Sequence, residues 1–220
     1  AGTGVGKSLF MCHVASSVLL QGKNVLYITL EMAEEKIAER IDANLLNVNI
    51  QNITDLPKAM FEKKVHKLKK KTQGELIIKE YPTASAHSGH FKALLNELSL
   101  KKSFKPDIIF IDYLNICASS RYRANSNVNS YSYIKAIAEE LRGLAVEANL
   151  PIVSATQTTR SGYGSSDVDL TDTSESFGLP ATADLMFALI STEELEGLNQ
   201  IMVKQLKNRY NDPTIYKRFV

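Results

Sequence analysis

The stretch Ala1-Gly2-Thr3-Gly4-Val5-Gly6-Lys7-Ser8 opens the chain and decides its fold. It follows the phosphate-loop pattern Gly-x-x-x-x-Gly-Lys-Ser/Thr, except that Ala1 stands where the first Gly is usual. The glycines let the backbone turn its N–H groups toward a phosphate, and the positive end of the following helix adds to the attraction. The alternative is a flexible glycine turn before a helix. We expect a loop that joins a strand to a helix and holds the phosphates of a nucleotide.

Two residues of this loop are expected to carry its chemistry. Lys7 would reach the β- and γ-phosphates with its charge, and the Ser8 hydroxyl would bind Mg²⁺. The nucleotide is expected to be ATP or another nucleoside triphosphate. Its binding residues are expected to be those of the loop and of the helix start, namely Gly2, Thr3, Gly4, Val5, Gly6, Lys7, Ser8 and Leu9.

Asp112 ends an apolar run at residues 108–111 that has the pattern of a buried strand. It would supply the second Mg²⁺ ligand, beside Ser8, that phosphate-loop chemistry requires. Alone, an Asp after an apolar strand is usually the start of a loop. The phosphate-loop pattern elsewhere in the chain favours the magnesium site.

Glu31 and Gln157 end two other apolar runs. Glu31 could polarise the attacking water as a general base. Its alternative role is a favourable charge at a helix N-terminus, which Glu34 and Glu35 could equally fill. Gln157 could contact the γ-phosphate or position water with its neutral amide. Because ligands of such folds bind at the carboxyl ends of the strands, we expect these side chains near the phosphate loop.

The apolar pattern predicts an α/β protein. Strands that alternate with helices favour a mostly parallel central sheet with helices on both faces. A Gly-, Ser- and Asp-rich stretch at residues 160–173 is typical of a long loop. The periodicity predicts helices near residues 9–19, 33–45, 56–71, 91–98 and 134–148, and strands near residues 24–30, 76–78, 108–112, 151–156, 185–190, 200–204 and 215–220.

The composition is that of an ordinary globular protein: 44% of the 220 residues are apolar and 23% are charged. The formal net charge of +2 neither predicts nor excludes a nucleic-acid partner. The two cysteines, Cys12 and Cys117, exclude a disulfide scaffold and favour a reducing, cytoplasmic location. No apolar run approaches the ~20 residues that cross a bilayer, so no membrane association is expected.

Both ends of the sequence indicate a part of a larger protein. The strand that should lead into the phosphate loop does not precede it, and the alternating pattern at residues 215–220 stops at the last residue. We therefore expect one nucleotide-hydrolysing domain over residues 1–220, with its first strand and any flanking domain outside this chain.

Together these residues resemble the RecA-like motor domain of DnaB-type replicative helicases, especially those of T-even-type phages. The resemblance keeps the family's motif order, and an Ala at the first loop position is itself a form found in DnaB-type loops. Glu175-Ser176 and Ala183-Asp184 are similar to the family's segment near its second DNA loop. The other matching stretches are Ala1 to Ser8, Tyr27-Ile28-Thr29-Leu30-Glu31-Met32, Ile109-Phe110-Ile111-Asp112-Tyr113-Leu114 and Ser154-Ala155-Thr156-Gln157.

The resemblance implies a RecA-like P-loop NTPase core in a ring-shaped homo-hexamer. Such a ring hydrolyses ATP or another nucleoside triphosphate, moves 5′ to 3′ on single-stranded DNA, and unwinds duplex DNA at the replication fork. The resemblance also implies a primase and a helicase loader as partners, and an N-terminal collar domain outside this chain.

The resemblance further assigns roles to single residues. Glu31 is similar to the family's catalytic glutamate, and Gln157 is similar to its γ-phosphate sensor. Lys207 and Arg209 resemble the Lys-x-Arg that reaches the nucleotide of the neighbouring subunit, with Arg209 as the arginine finger. The four residues after Arg209 depart from the family's Asn-Gly, so Lys204 is an alternative basic residue, and Arg209 could instead be a hairpin-turn cation.

Two polar stretches are candidates for binding single-stranded DNA, because ring motors grip the DNA backbone through loops of a central channel. Residues 119–130 carry Arg121 and Arg123. Residues 160–173 carry Arg160, but their three aspartates weaken them as a phosphate binder. For each stretch the alternative is a plain surface connection. The first stretch is favoured.

The densest basic cluster, six lysines between residues 63 and 71, lies elsewhere. Phe61, Val65 and Leu68 share one helical face, so the lysines favour a solvated outer face over a DNA-contact surface. His87 and His90 lie three residues apart without the Cys or carboxylate partners of a zinc site. We expect them in a loop or at a helix start.

Two other functions stay open from the sequence alone. A RecA-type recombinase shares the Glu at a strand end but forms a filament on DNA and exchanges strands. A nucleotide-gated DNA-binding or clamp-loading accessory protein would barely hydrolyse nucleotide. The Leu-Glu-Met and Ile-Asp-Tyr-Leu segments favour the helicase over the recombinase, and an intact Glu31 argues against the accessory protein.

Overall fold

Helices and strands alternate through the first two thirds of the chain. The computed structural model describes residues 4–53, 55–70, 72, 74–122, 128–158, 169–170 and 178–220. Short 3₁₀ helices lie at Ile50–Asn52 and Leu114–Ile116. The main elements are α1 (Lys7–Leu20), β1 (Val25–Thr29), α2 (Glu34–Leu46), α3 (Lys58–Lys69), β2 (Leu76–Glu80), α4 (Ser88–Lys102), β3 (Ile108–Asp112), α5 (Ser130–Ala148), β4 (Ile152–Ser154), α6 (Gly178–Thr182), β5 (Leu185–Ile190), α7 (Glu193–Gly197), β6 (Met202–Asn208) and β7 (Arg218–Phe219).

The first four strands form a parallel sheet in the order β2-β1-β3-β4. In the register of this sheet, Thr29 at the end of β1 lies beside Glu80 of β2 on one side and Asp112 of β3 on the other. The carboxyl ends of these strands therefore meet at one edge. The predicted parallel sheet is confirmed, and this edge is the place where a ligand of such a fold binds.

Helices cover both faces of the parallel sheet, as predicted. Side chains alternate along β1, so Val25 and Tyr27 pack in one apolar layer with α1 and α2. Leu26 and Ile28 pack in the other layer with α4 and α5. Since both faces are buried, the strand reads as a continuous apolar run in the sequence.

The last three strands form a separate antiparallel sheet in the order β5-β6-β7. The predicted strand at residues 215–220 is reduced to two residues, Arg218 and Phe219. The Asp212 carboxylate accepts hydrogen bonds from the backbone N–H and the hydroxyl of Thr214 at 2.8 and 2.7 Å, and Tyr216 has a φ of 58°. These are features of a turn, so the alternating pattern there marks exposed turn residues rather than a strand.

Two further expectations concern helix α3 and the start of α4. Phe61, Val65 and Leu68 of α3 are only half buried, and most of the described lysines of the helix are exposed, as a solvated face requires. His87 caps α4: its ring accepts the Gly89 N–H at 3.0 Å, and the His90 ring accepts the His87 N–H at 3.2 Å. Within the described parts of the chain, no helix has the length and apolar character that a membrane span needs.

Candidate active site

The phosphate loop owes its shape to two glycines. Gly4 and Gly6 have φ values of +80° and +95°, in the left-handed region that a residue with a Cβ rarely adopts. A Cβ at either position would meet open space, so backbone conformation rather than crowding requires Gly there. The loop residues Gly2 and Thr3 lie outside the described part of the chain. The described residues Gly4 to Gly6 lead directly into α1.

The N-terminus of α1 is left open to an anion. Gly6 occupies the N-cap without a side-chain hydrogen bond, and the first turn contains no acidic residue. Phe10 donates its N–H to the Gly6 carbonyl at 2.9 Å. The N–H groups of Ser8 and Leu9 come before this first hydrogen bond of the helix, so the helix itself offers them no acceptor. By contrast, α2 has Glu34 and Glu35 in its first turn. The positive end of α1 is therefore suited to a phosphate group.

Lys7 connects the loop with the carboxyl edge of the sheet. Burial lowers the pKa of Lys7 below its usual value, and the negative charges of Glu31 and Asp112 oppose that effect. Its ammonium also lies 5.8 Å from the centre of the Tyr113 ring. The fold thus gathers the predicted phosphate cation and the two predicted carboxylates in one place.

The carboxylate of Asp112 has one bound oxygen and one unsatisfied oxygen. The side chain is 1% exposed. Its Oδ2 accepts a hydrogen bond from the Tyr27 hydroxyl at 3.0 Å, whereas its buried Oδ1 has no hydrogen-bond partner among the described residues. Burying a carboxylate oxygen without a hydrogen-bond donor costs free energy unless a cation binds to that oxygen.

An oxygen set of this kind fits Mg²⁺. The ion is usually bound by one or two carboxylates together with substrate phosphates and water, and does not need a cluster of protein ligands. No group of three or more His, Cys, Asp or Glu side chains that could hold a metal occurs among the described residues. Asp112 and the Ser8 hydroxyl in the first turn of α1 are therefore sufficient protein ligands if phosphates complete the shell.

Glu31 stands in a tight turn between β1 and α2. The buried Thr29 hydroxyl donates to the Met32 carbonyl at 2.8 Å and accepts the Met32 N–H at 3.1 Å, which closes the turn across Glu31. Leu30 donates its N–H to the Asp112 carbonyl at 2.9 Å and accepts the Thr83 hydroxyl at 2.7 Å. The Glu31 side chain is exposed, and its backbone is held from both sides.

Glu34, the alternative to Glu31, has a structural role at the start of α2. Its Oε1 accepts the backbone N–H of Glu80 at 2.8 Å, and its own N–H donates to a Glu80 carboxylate oxygen at 3.3 Å. Glu34 and Glu35 supply the acidic charge of the first turn of α2. Glu31 lies before that turn, and its charge acts on Lys7 and Tyr113 instead.

Gln157 reaches the same edge through Tyr113. Its Nε2 donates to the Tyr113 hydroxyl at 3.0 Å. The segments after β3 and β4 are also joined by a backbone hydrogen bond from Leu114 to the Ala155 carbonyl at 3.1 Å. Tyr113 therefore links the predicted sensor to Lys7, whose ammonium lies over its ring.

Lys207 lies in β6 of the antiparallel sheet, Arg209 directly follows that strand, and both contact α6. The Arg209 Nη1 pairs with the Asp184 carboxylate at 2.5 Å, and its Nη2 donates to the Ala181 carbonyl at 3.3 Å. The Lys207 ammonium donates to the carbonyls of Pro180 and Ala181. Their hydrogen bonds thus go to α6 and Asp184, and among the described residues none of them joins Lys207 or Arg209 to Glu31, Asp112 or Gln157.

Asp184 has a second cationic partner, Arg142 of α5, whose Nη1 lies 2.9 Å from the same carboxylate oxygen. Lys204, the alternative basic residue, is buried within β6. Arg209, in contrast, is exposed. Among the basic residues of this segment, the exposed Arg209 is the better placed to contact another molecule.

Of the three predicted DNA-binding residues, the structure describes Arg121. Arg123 and Arg160 lie outside the described residues. Arg121 is exposed and pairs with Glu139 of α5, with 2.6 Å between Nη1 and Oε2. The base of its loop is fixed on α5 as well, because Glu140 accepts hydrogen bonds from the Ser119 hydroxyl at 2.6 Å and the Ser120 N–H at 2.9 Å. A phosphate at Arg121 would compete with Glu139.

Several residues of this region were not expected from the sequence. Tyr27 contacts Asp112, Tyr113 joins Lys7 to Gln157, and Asp184 holds Arg209. A signal existed for Tyr27, because a hydroxyl inside a fully apolar strand must find a buried partner. No comparable signal existed for Asp184, since its pairing depends on how two sheets and a helix come together.

Comparison with known proteins places the chain among helicase domains. The family model described as DnaB-like helicase C terminal domain matches residues 1–215. The chain is 50% identical, over its whole length, to a DnaB-like replicative helicase of Enterobacteria phage T4. It is 30% identical, over 94% of its length, to a probable plasmid replicative DNA helicase of Chlamydia psittaci. It spans 47% and 45% of the lengths of these two relatives.

Two solved structures share the fold at lower identity. One is a DnaB-like replicative helicase studied with its interactions with primase; it superposes with a TM-score of 0.78 at 19% identity, over 96% of this chain and 53% of that one. The other is an ATPase domain, with a TM-score of 0.76 at 18% identity, over 96% of this chain and 76% of that one. Both agree with the parallel sheet and its helices on two faces.

Proposed function

Because the chain belongs to the family of DnaB-like helicase C-terminal domains, we propose that it is the motor of a replicative helicase, which hydrolyses ATP to move along single-stranded DNA and unwind the fork. One observation carries this proposal. The open N-terminus of α1, with Lys7 beside it, meets the carboxylates of Glu31 and Asp112 at a single edge of the sheet. A phosphate cradle, a cation ligand and a base are the parts that phosphoryl transfer to water needs.

In this proposal the loop and the first turn of α1 bind the nucleotide phosphates. Backbone N–H groups of Gly2 to Leu9 contact the phosphates, and Lys7 places its charge on the β- and γ-phosphates. Ser8 and Asp112 would hold Mg²⁺, and the bound ion would supply positive charge against the negative charge of the phosphate oxygens.

Glu31 acts as the general base. Its carboxylate accepts a proton from the attacking water, and the Thr29 turn keeps its backbone in place during that transfer. Gln157 donates its amide to the γ-phosphate or orients the water, and the Tyr113 hydroxyl sets its direction.

Lys207 and Arg209 act on the nucleotide of a neighbouring copy in a homo-hexamer. Their hydrogen bonds within the same chain go to Pro180 of α6 and to Asp184. A finger that acts across an interface supplies positive charge when the neighbouring site closes around the transferred phosphoryl group. This arrangement would make hydrolysis depend on assembly of the ring.

Single-stranded DNA is the proposed track, with Arg121, Arg123 and Arg160 as its contacts. The two stretches that carry them follow β3 and β4, the strands that also lead to Asp112 and Gln157. A primase and a helicase loader are the proposed protein partners, and the cytoplasm is the proposed location. Movement from 5′ to 3′ completes the proposal.

The test of this function is steady-state ATP hydrolysis by the full-length protein with and without single-stranded DNA. We expect several-fold stimulation by DNA, because DNA bound by the stretches after β3 and β4 would order the strand ends at the nucleotide site. A rate of hydrolysis that does not change when DNA is added would contradict the proposal of a DNA motor. A fork substrate separates the remaining possibilities: a helicase unwinds it, whereas a recombinase exchanges strands without processive unwinding.

Glu31→Gln is expected to keep nucleotide binding and to lower the rate of hydrolysis by about 10²-fold, since the amide has similar size but cannot accept the proton. Nucleotide binding is followed by fluorescence of a labelled ADP, and turnover by phosphate release.

Glu35→Gln is the matched control for this change. It removes an exposed carboxylate from the first turn of α2, beyond the turn that holds Glu31, and should hydrolyse like the parent. Parent-like hydrolysis by Glu31→Gln would show that the base is another residue.

A further inference from the structure

The Tyr27 hydroxyl is a polar group set inside the apolar layer beneath α1. The side chain is 0% exposed, and its ring stacks on Phe110 of the neighbouring strand with centroids 5.7 Å apart and planes 9° apart. The hydroxyl donates to the Asp112 Oδ2 at 3.0 Å and receives a weak hydrogen bond from the Cys12 thiol at 3.8 Å. Buried tyrosine hydroxyls find partners, and here the partner is a carboxylate.

This hydrogen bond makes the two oxygens of Asp112 different. Oδ2 is held by the phenol, and the buried Oδ1 has no hydrogen-bond partner among the described residues. A hydrogen bond to a charged acceptor in a dry layer is directional, so it restricts rotation of the carboxylate. A tyrosine hydroxyl carries one O–H donor, and at Tyr27 that donor faces the Asp112 carboxylate.

The same contact reaches the helix of the phosphate loop. Ser8 and Cys12 are four residues apart in α1, so they lie on one face of that helix, one turn apart. The thiol that touches the Tyr27 hydroxyl thus lies on the same face of α1 as Ser8, one turn further along. Tyr27 stands between the helix that carries one proposed metal ligand and the strand that carries the other.

We infer that Tyr27 is a positioning residue for the divalent cation: its hydroxyl anchors one oxygen of Asp112 and thereby presents the other oxygen as the ligand. The inference rests on the proposed nucleotide site and deepens it. Tyr27 acts through Asp112 and not on the nucleotide. Partners of metal-binding carboxylates in other proteins orient the ligand in this way, and their loss weakens metal affinity about 10- to 100-fold.

The test measures metal affinity directly in the full-length protein. Mn²⁺ is titrated in the presence of ADP and followed by its electron paramagnetic resonance signal, with Mg²⁺ as a competitor. Tyr27→Phe keeps the ring and its stack on Phe110 and removes the hydroxyl alone. We expect its Mn²⁺ affinity to fall about tenfold, while its affinity for ADP in the presence of a chelator stays that of the parent.

Two reference variants are titrated beside Tyr27→Phe. Asp112→Asn removes the ligand charge and sets the size of the full loss. Tyr81→Phe is the matched control, because it removes a tyrosine hydroxyl that is half buried beyond β2, where the ring meets the edge of Phe91. Its Mn²⁺ affinity should equal that of the parent.

The outcomes separate the inference from the proposed function. Parent-like Mn²⁺ affinity in Tyr27→Phe, together with a loss in Asp112→Asn, would overturn the role of Tyr27 and leave the metal site standing. Parent-like affinity in Asp112→Asn as well would overturn the proposed metal site itself. Thermal unfolding without metal checks that each variant is folded.

A second variant serves if Tyr27→Phe does not fold. Asp112→Glu keeps the charge but places the carboxylate one methylene further from β3, out of register with the phenol. Weakened Mn²⁺ binding in this folded variant agrees with the inference, and parent-like binding would overturn it.

Discussion

Lys7→Ala is expected to abolish measurable ATP hydrolysis, with a loss of about 10³-fold or more. The substitution removes the cation that lies between the open end of α1 and the carboxylates of Glu31 and Asp112. Without it, the nucleotide phosphates would face those two negative charges with only backbone N–H groups to offset them. Nucleotide affinity should fall as well, because the ammonium binds the phosphates in the ground state and in the transition state.

The measurement is steady-state phosphate release at saturating nucleotide, with binding followed separately. Lys23→Ala is the matched control: Lys23 lies just beyond the other end of α1, is exposed, and makes a surface ion pair with Asp107 at 4.0 Å. Exposed pairs of this kind contribute little to stability, so the control should hydrolyse normally. Normal turnover in Lys7→Ala would refute the assignment of the phosphate site.

Arg209→Ala is expected to lower hydrolysis by about 10³-fold in the assembled protein, the size of effect typical of an arginine finger. The loss should act across the subunit interface. Mixed rings of parent and variant chains should therefore lose activity faster than the fraction of variant chains alone predicts. A loss proportional to that fraction would contradict the assignment.

A mixture of two inactive variants tests the same point more sharply. In rings built from Lys7→Ala and Arg209→Ala chains, about a quarter of the interfaces combine an intact loop with an intact finger if the chains mix evenly. Such interfaces should recover hydrolysis that neither variant has alone. If Arg209 acts within its own chain, no interface is restored and the mixture stays inactive.

Arg142→Ala is the control for a merely structural role of Arg209. Both arginines contact the same oxygen of Asp184, at 2.9 Å for Arg142 and 2.5 Å for Arg209. If Arg209 only stabilised that carboxylate, the two variants would behave alike. We expect Arg142→Ala to lower thermal stability slightly and to keep its own ATP hydrolysis. Mixing it with Lys7→Ala should therefore give no hydrolysis beyond that of Arg142→Ala itself.

The sequence predicts the parallel sheet well because its two central strands, β1 and β3, are buried on both faces. A run such as the one around Tyr27 and Ile28 has no polar alternation, and a polar residue follows where the strand emerges from the core. For the same reason the strand-end residues Glu31 and Asp112 could be named in advance. Strand burial and strand ends are local properties of the chain.

The parts that escaped prediction depend on contacts between distant segments. Tyr27 looks like core in the sequence, and its bond to Asp112 becomes visible only when β1 and β3 pair in register. The pairing of Arg209 with Asp184 needs β6 to lie against β5 and α6. The short last strand was overpredicted because exposed turn residues around Tyr216 happen to alternate like a strand.

The turn closed by the Thr29 hydroxyl has a consequence for the speed of repeated reaction cycles. Its two hydrogen bonds with Met32 fix the backbone on either side of Glu31 before any ligand arrives. The conformational entropy of that segment, about 1–2 kcal/mol for each ordered residue, is lost once, when the chain folds. When a nucleotide binds, the backbone at Glu31 is therefore already ordered, and only the Glu31 side chain still has conformational freedom to lose. Replacing Thr29 with Val would remove both hydrogen bonds, so the segment around Glu31 would have to be ordered again in every reaction cycle.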